Sequence, residues 1–133
     1  MQKAKRASQQ STTRTRKAST NRSPAQNTAG KPVIIVESPA KTRTLQKILG
    51  NAYLVAASMG HVRDLPKSKL GVDIEHRFQP TYQTLPERKE VLKRLQQATQ
   101  NAPTVYLATD PDREGEAIAW HIQQALNLQN AQR

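Results

Sequence analysis

Four carboxylates stand within seven residues of this chain: Asp110, Asp112, Glu114 and Glu116, inside the segment TVYLATDPDREGEAIAWH at 104–121. Carboxylates this crowded repel one another unless positive charge sits among them. A hard divalent cation answers that need, and Mg²⁺ is usually held by one or two carboxylates together with waters and phosphate oxygens. Part of the pattern has a purely structural explanation. Acids at a helix start are favoured by the macrodipole, and Asp110 before Pro111 makes an N-cap and first-turn pair. Capping accounts for one or two acids and leaves the Asp-x-Asp-x-Glu series over, so a metal site is the favoured reading.

The elements around these acids can be read from their periodicity. Val105, Tyr106, Leu107 and Ala108 form a short apolar run after Pro103. The run suits a strand buried on both faces, and a buried helix segment would look the same. From Glu114 onward Ile118, Ile122, Ala125 and Leu126 fall on one helical face. Upstream, Val33 to Val36 make a second apolar run that ends on Glu37, and Ser38-Pro39 then reads as the N-cap and first position of a helix. Leu45, Ile48 and Leu49 give that helix its buried face, and Gly50 closes it. ESPAK and TDPDR are thus similar strand-to-helix junctions. If their strands are parallel neighbours, Glu37 joins the acidic cluster at the carboxyl end of the sheet, where open α/β folds bind ligands. Lys41 and Arg113 fall in first helical turns, where the macrodipole disfavours cations. They serve carboxylates or phosphates there, or are simply solvated.

The middle of the chain is less informative. Residues 53–57 read as a strand leading into the loop SMGHVRDLP. His61 and Arg63, in a loop beyond a strand, suit phosphate contact. Residues 67–85 read as a hairpin or an irregular insertion, and Pro86 starts a helix through Thr99 with Val91, Leu92, Leu95 and Ala98 on one face. The order predicts an α/β protein, a parallel sheet with flanking helices. No strand is expected after the last helix. Three short strands make a narrow sheet with open edges, as in a piece of a longer protein.

The chain has 133 residues and a formal charge of +11, of which +8 belongs to residues 1–31, where there is no acid. Residues 1–30 have methionine and alanine as their only apolar side chains, too little to offset chain entropy, and are expected to be a disordered basic tail. The tail reads as an arm attracting nucleic acid, as a spacer, or, in second rank, as an organelle transit peptide. No cysteine is present, which excludes disulfides and thiolate metal sites. No apolar run approaches membrane-spanning length.

VESPAK, SMGHVRDLP and ATDPDREGEAIAWH, in that order over 31–133, resemble the Toprim domain of type IA DNA topoisomerases, and most of all its bacterial members. The resemblance implies a Rossmann-like Toprim fold, here without its last strand. It makes Glu37 the residue that moves a proton to or from the leaving ribose oxygen. Asp110 and Asp112, with Glu114 less directly, would bind Mg²⁺, and Glu37 is expected to share in that set if its strand is a parallel neighbour of theirs. Lys41 and Arg113 are expected at the scissile phosphate, and His61 with Arg63 on DNA. The family relaxes negatively supercoiled DNA by transient single-strand cleavage through a 5′-phosphotyrosine. Neither Tyr53, Tyr82 nor Tyr106 stands in the nucleophile motif, so that residue is expected on remaining domains of a longer polypeptide, and this chain alone is expected to be inactive. No Gly-x-x-x-x-Gly-Lys-Ser/Thr loop is present, in keeping with a reaction that uses no ATP. A cytoplasmic, nucleoid-associated location is expected. A primase or OLD-type nuclease would share the acids but not VESPAK with GHVRDLP. A haloacid-dehalogenase-type phosphatase carries its Asp-x-Asp after the first strand, whereas here it follows the third. From another class, a DNA-binding module with a structural Mg²⁺ and no chemistry would also carry these acids.

Overall fold

The computed structural model describes residues 30–133. The disordered tail expected over 1–30 therefore lies, except for Gly30, outside the described residues. Four strands form the central sheet: β1 (Val33–Val36), β2 (Leu54–Ala57), β7 (Val105–Leu107) and β8 (Ala131–Gln132), in the order β2-β1-β7-β8 with every pairing parallel. Three helices flank it, α1 (Pro39–Leu49), α2 (Lys89–Thr99) and α3 (Arg113–Ala125). The α/β architecture expected from the strand–helix alternation is the one observed.

β1 is the axis of this arrangement. Its four side chains are all buried, because neighbours flank it on both edges and helices cover both faces. Val33 and Ile35 point into the larger core cluster with Leu95, Val105, Leu107, Ile118, Ala119 and Ile122. Ile34 and Val36 point the other way, onto Val55, Leu45 and Leu49. The period-two alternation thus feeds two separate cores from one four-residue strand.

The middle segment folds back as two short antiparallel ribbons. β3 (Arg63–Asp64) pairs with β6 (Gln83–Thr84), and nested inside them β4 (Val72–Asp73) pairs with β5 (Gln79–Pro80). Arg77 and Phe78 turn with positive φ at the tip, and Asp73 ties the turn down by accepting from the backbone N–H groups of Glu75 and His76.

Four expectations need correction. A strand does follow the last helix. Asn127 takes a left-handed conformation (φ 49°), Leu128 packs against the core, and Ala131–Gln132 join the open edge of β7. A two-residue Ala-Gln strand carries no apolar run that would announce it. Ile48 is exposed, because Leu45 and Leu49, one turn apart, already fill the contact of α1 with the sheet. Ala125 also lies off the buried face of α3, which runs through Gly115, Ile118, Ala119 and Ile122. The helix expected from Pro86 opens as a 3₁₀ turn at Pro86–Arg88 before α2 begins.

Candidate functional site

β1 and β7 end side by side, so the residues that follow them are brought together across 73 positions of sequence. Ser38 caps α1, its hydroxyl accepting from the Lys41 N–H at 3.4 Å, and Glu37 is left at the mouth of the sheet. There its carboxylate accepts a hydrogen bond from the backbone N–H of Asp110. The Lys41 ammonium donates to the Asp110 carboxylate and lies 3.9 Å from Glu37 Oε2. One cation therefore serves two carboxylates that come from different strands. The hydrogen bond to Asp110 is the main reason the Lys41 amine is raised above its ordinary value, and the nearby charges of Glu37, Asp110 and Asp112 push the same way. Lys41 and Asp110 border an open hollow of about 350 Å³ whose other walls are the apolar Val36, Ala40, Leu45 and Ala108 together with Thr44.

The β7–α3 junction differs from the sequence expectation in its capping. Asp112, not Asp110, is the N-cap: its side chain accepts from Gly115 N–H at 2.7 Å. Pro111 stays outside the helix, and the chain at Asp110 folds back over the first turn of α3. A Cβ on Gly115 would stand 2.0 Å from the Asp110 carbonyl oxygen, so only glycine permits that crossing. Capping by Asp112 frees the Asp110 carboxylate for Lys41.

The loop after β2 is fastened to the same corner. Ser58 N–H donates to Val36 C=O at 2.8 Å and Gly60 N–H to Glu37 C=O at 3.0 Å, with Met59 and Gly60 both at positive φ. This turn delivers His61, whose Nε2 lies 3.4 Å from Glu114 Oε1. Of the sequence candidates, then, Glu37, Lys41 and Asp110 are in direct contact, and His61 meets Glu114 beside them. Asp112 lends one oxygen to the helix cap. Arg113 is exposed in the first turn of α3 and has no ion-pair partner among the described residues. Arg63 turns elsewhere: its Nε donates to His121 Nδ1 at 3.2 Å, and its guanidinium lies against the rings of Tyr82 and Trp120.

These junctions, the parallel sheet and the acidic turn match a known pattern. A family profile described as Toprim domain matches residues 32–133. The chain belongs to the Toprim family. Among solved structures it is similar to full-length topoisomerase I from Thermotoga maritima, with 45% sequence identity, a TM-score of 0.66 and coverage of 74% of this chain. The chain spans 17% of the length of that protein. The resemblance to a bacterial type IA topoisomerase Toprim domain, drawn from VESPAK, GHVRDLP and DPDREGE, is borne out.

The Toprim acids are consistent with a divalent cation, although no group of three or more metal-ligating side chains converges among the described residues. Glu37 and Asp110 both face one cationic group, the Lys41 ammonium. Asp112 has its second oxygen uncommitted to the cap. An incomplete carboxylate set suits Mg²⁺, which takes its remaining ligands from water and phosphate.

Sequence reasoning missed Gly115, Ser58, Tyr82, Trp120 and His121. Gly115 left a signal: glycine inside a helical pattern costs about 1 kcal/mol relative to alanine, so its presence there marks a close approach. The other four depend on contacts made far along the chain and left none.

Proposed function

We propose that this Toprim domain is the acid–base and cation-binding half of a type IA topoisomerase active site, acting on a single-stranded segment of DNA. The observation carrying the reading is the Glu37–Lys41–Asp110 contact at the carboxyl ends of two adjacent parallel strands. Glu37 is positioned by the Asp110 N–H to hold the proton exchanged with the leaving ribose oxygen. Lys41 carries the positive charge that a scissile phosphate would meet, and the hollow beside it offers apolar surface to a sugar or base. Mg²⁺, when bound by Asp110 and Asp112 with Glu37 and Glu114 nearby, would neutralise phosphate charge. His61, partly exposed beside Glu114, and the exposed Arg113 would contact the DNA strand.

The nucleophile is not found among these side chains. Tyr53 and Tyr106 pack edge to face at 6.4 Å under α1, and Tyr82 packs against Trp120 and His121. A tyrosine from another domain of the same polypeptide would complete the reaction, relaxing negatively supercoiled DNA without ATP. The test is an NMR titration of the folded chain with Mg²⁺, with and without a short single-stranded oligonucleotide. Amide signals of residue 37 and of 110–114 should move with Mg²⁺, and at lower Mg²⁺ when DNA is present. Signals that stay fixed under both conditions would overturn the cation-binding reading.

A further inference from the structure

The geometry points to Arg63 as a positioning residue for His61, clamping the β3–β6 ribbon onto α3, rather than as a phosphate ligand. Its guanidinium carbon lies 5.4 Å from the centre of the Tyr82 ring and 5.3 Å from that of Trp120. Its Nε donates to His121 Nδ1 at 3.2 Å, a contact spanning 58 residues. The three rings pack edge to face around it: Tyr82 to Trp120 at 5.6 Å, Tyr82 to His121 at 4.6 Å and Trp120 to His121 at 4.9 Å. Arg63 is in β3, Tyr82 immediately precedes β6, and Trp120 and His121 belong to α3. One side chain thus joins both strands of the ribbon to the helix.

The ribbon needs such a tie. β3 and β6 pair over two residues each, too short a ladder to hold its own orientation. Val62, fully buried in the larger core and accepting from Leu85 N–H at 3.0 Å, anchors the base of the ribbon. Gly60, whose N–H donates to Glu37 C=O, and Val62 hold the chain on either side of His61, and the Arg63 contacts one residue further on set the direction in which the ribbon leaves them. His61, on the other side of Val62, is then aimed at Glu114 on the first turn of α3. Arginine suits this role because its planar guanidinium stacks on aromatic faces while its Nε donates in the same plane. Lysine retains the charge but has neither the plane nor the fork. The inference rests on the proposed function only in counting His61 as a site residue.

The test compares Arg63→Lys, Arg63→Gln and Tyr82→Leu with the parent chain. Ring signals of His61 are followed by NMR without DNA, and oligonucleotide affinity is followed against salt. A clamp predicts that Arg63→Lys and Tyr82→Leu both displace the His61 ring signals, although Tyr82 carries no charge, while Ile34 and Val55 signals stay in place as the fold control. It also predicts that Arg63→Gln weakens DNA binding several-fold with no change in log–log salt slope. A phosphate ligand predicts the reverse: His61 unmoved in Arg63→Lys, and a slope reduced by about 0.7 in Arg63→Gln. That second pattern overturns the inference, as does a His61 signal unmoved in Tyr82→Leu, which would leave Gly60 and Val62 as sufficient anchors. Should Arg63→Lys fail to fold, Tyr82→Leu decides alone. If the parent chain binds no DNA, the proposed function is the reading that falls, and the His61 signals still decide for or against the clamp.

Discussion

The two strand-to-helix junctions look alike in sequence and are built differently. ESPAK passes from β1 into α1 with Glu37 and Ser38 alone between the elements. TDPDR takes five residues, 108–112, between β7 and α3. In the short junction a neutral serine caps the helix through a 3.4 Å contact. In the long one a carboxylate caps at 2.7 Å, and the extra residues fold back over Gly115 to bring Asp110 against Glu37. An acid followed by proline therefore does not by itself say which residue caps. Junction length decides whether the acid stays at the strand end or is carried across to its neighbour.

The sharpest way to break this contrast is Gly115→Ala. Its methyl would collide with the Asp110 carbonyl, and a helix held by Ile118 and Ile122 in the core cannot withdraw. We expect a loss of about 3 kcal/mol, the upper part of the overpacking range. For a domain of this size that lowers the melting temperature by on the order of 15 °C in calorimetry. The Asp110 amide should also leave its hydrogen-bonded position by NMR. The matching change in the short junction, Ser38→Ala, adds no atoms and should leave the β1 end in place.

Cap removal comes next in size. Asp112→Ala removes a short, charge-assisted bond together with a favourable interaction with the α3 dipole, and should cost about 1–2 kcal/mol by denaturant unfolding. Ser38→Ala removes a long, neutral bond and should cost about 0.5 kcal/mol, the low end for a cap. Equal losses would mean that the two junctions are held in the same way after all.

The smallest effect belongs to the link between the junctions. The Lys41 amine is raised because Asp110 accepts its hydrogen bond and Glu37 adds attraction. A folded-state value above the unfolded one means that the stabilisation is fully present below the ordinary lysine value of 10.5 and is lost as pH rises through the raised value. Exposure keeps the contribution small. Titration of the Lys41 side chain by NMR should show the raised value in the parent chain and a return toward the ordinary one in Asp110→Asn. No change between the two would detach Asp110 from Lys41.

What could be read from sequence follows the same division. β1, β7, α1 and α3, the Ser38 cap and the meeting of Glu37 with Asp110 were legible, because each follows from local periodicity plus one assumption, parallel neighbours. The choice of Asp112 as cap was not, since Asp110-Pro111 offers an equally good local signal and only the crossing over Gly115 decides between them. β8 was hidden by its length and by side chains without strand character. The Arg63 clamp was out of reach because its partners, Tyr82, Trp120 and His121, are distant in the chain, and Arg63 in a loop beside His61 reads first as a phosphate contact.

The 73-residue separation of Glu37 and Asp110 also orders events in time. Loop closure across such a distance is entropically costly, and parallel pairing of distant strands is slow compared with forming the helices between them. The Ser38 cap of α1 is local, three residues apart, whereas Lys41 has no Asp110 to meet until β7 docks on β1. Pairing of these groups in a refolding experiment would be a late signal, appearing together with closure of the sheet.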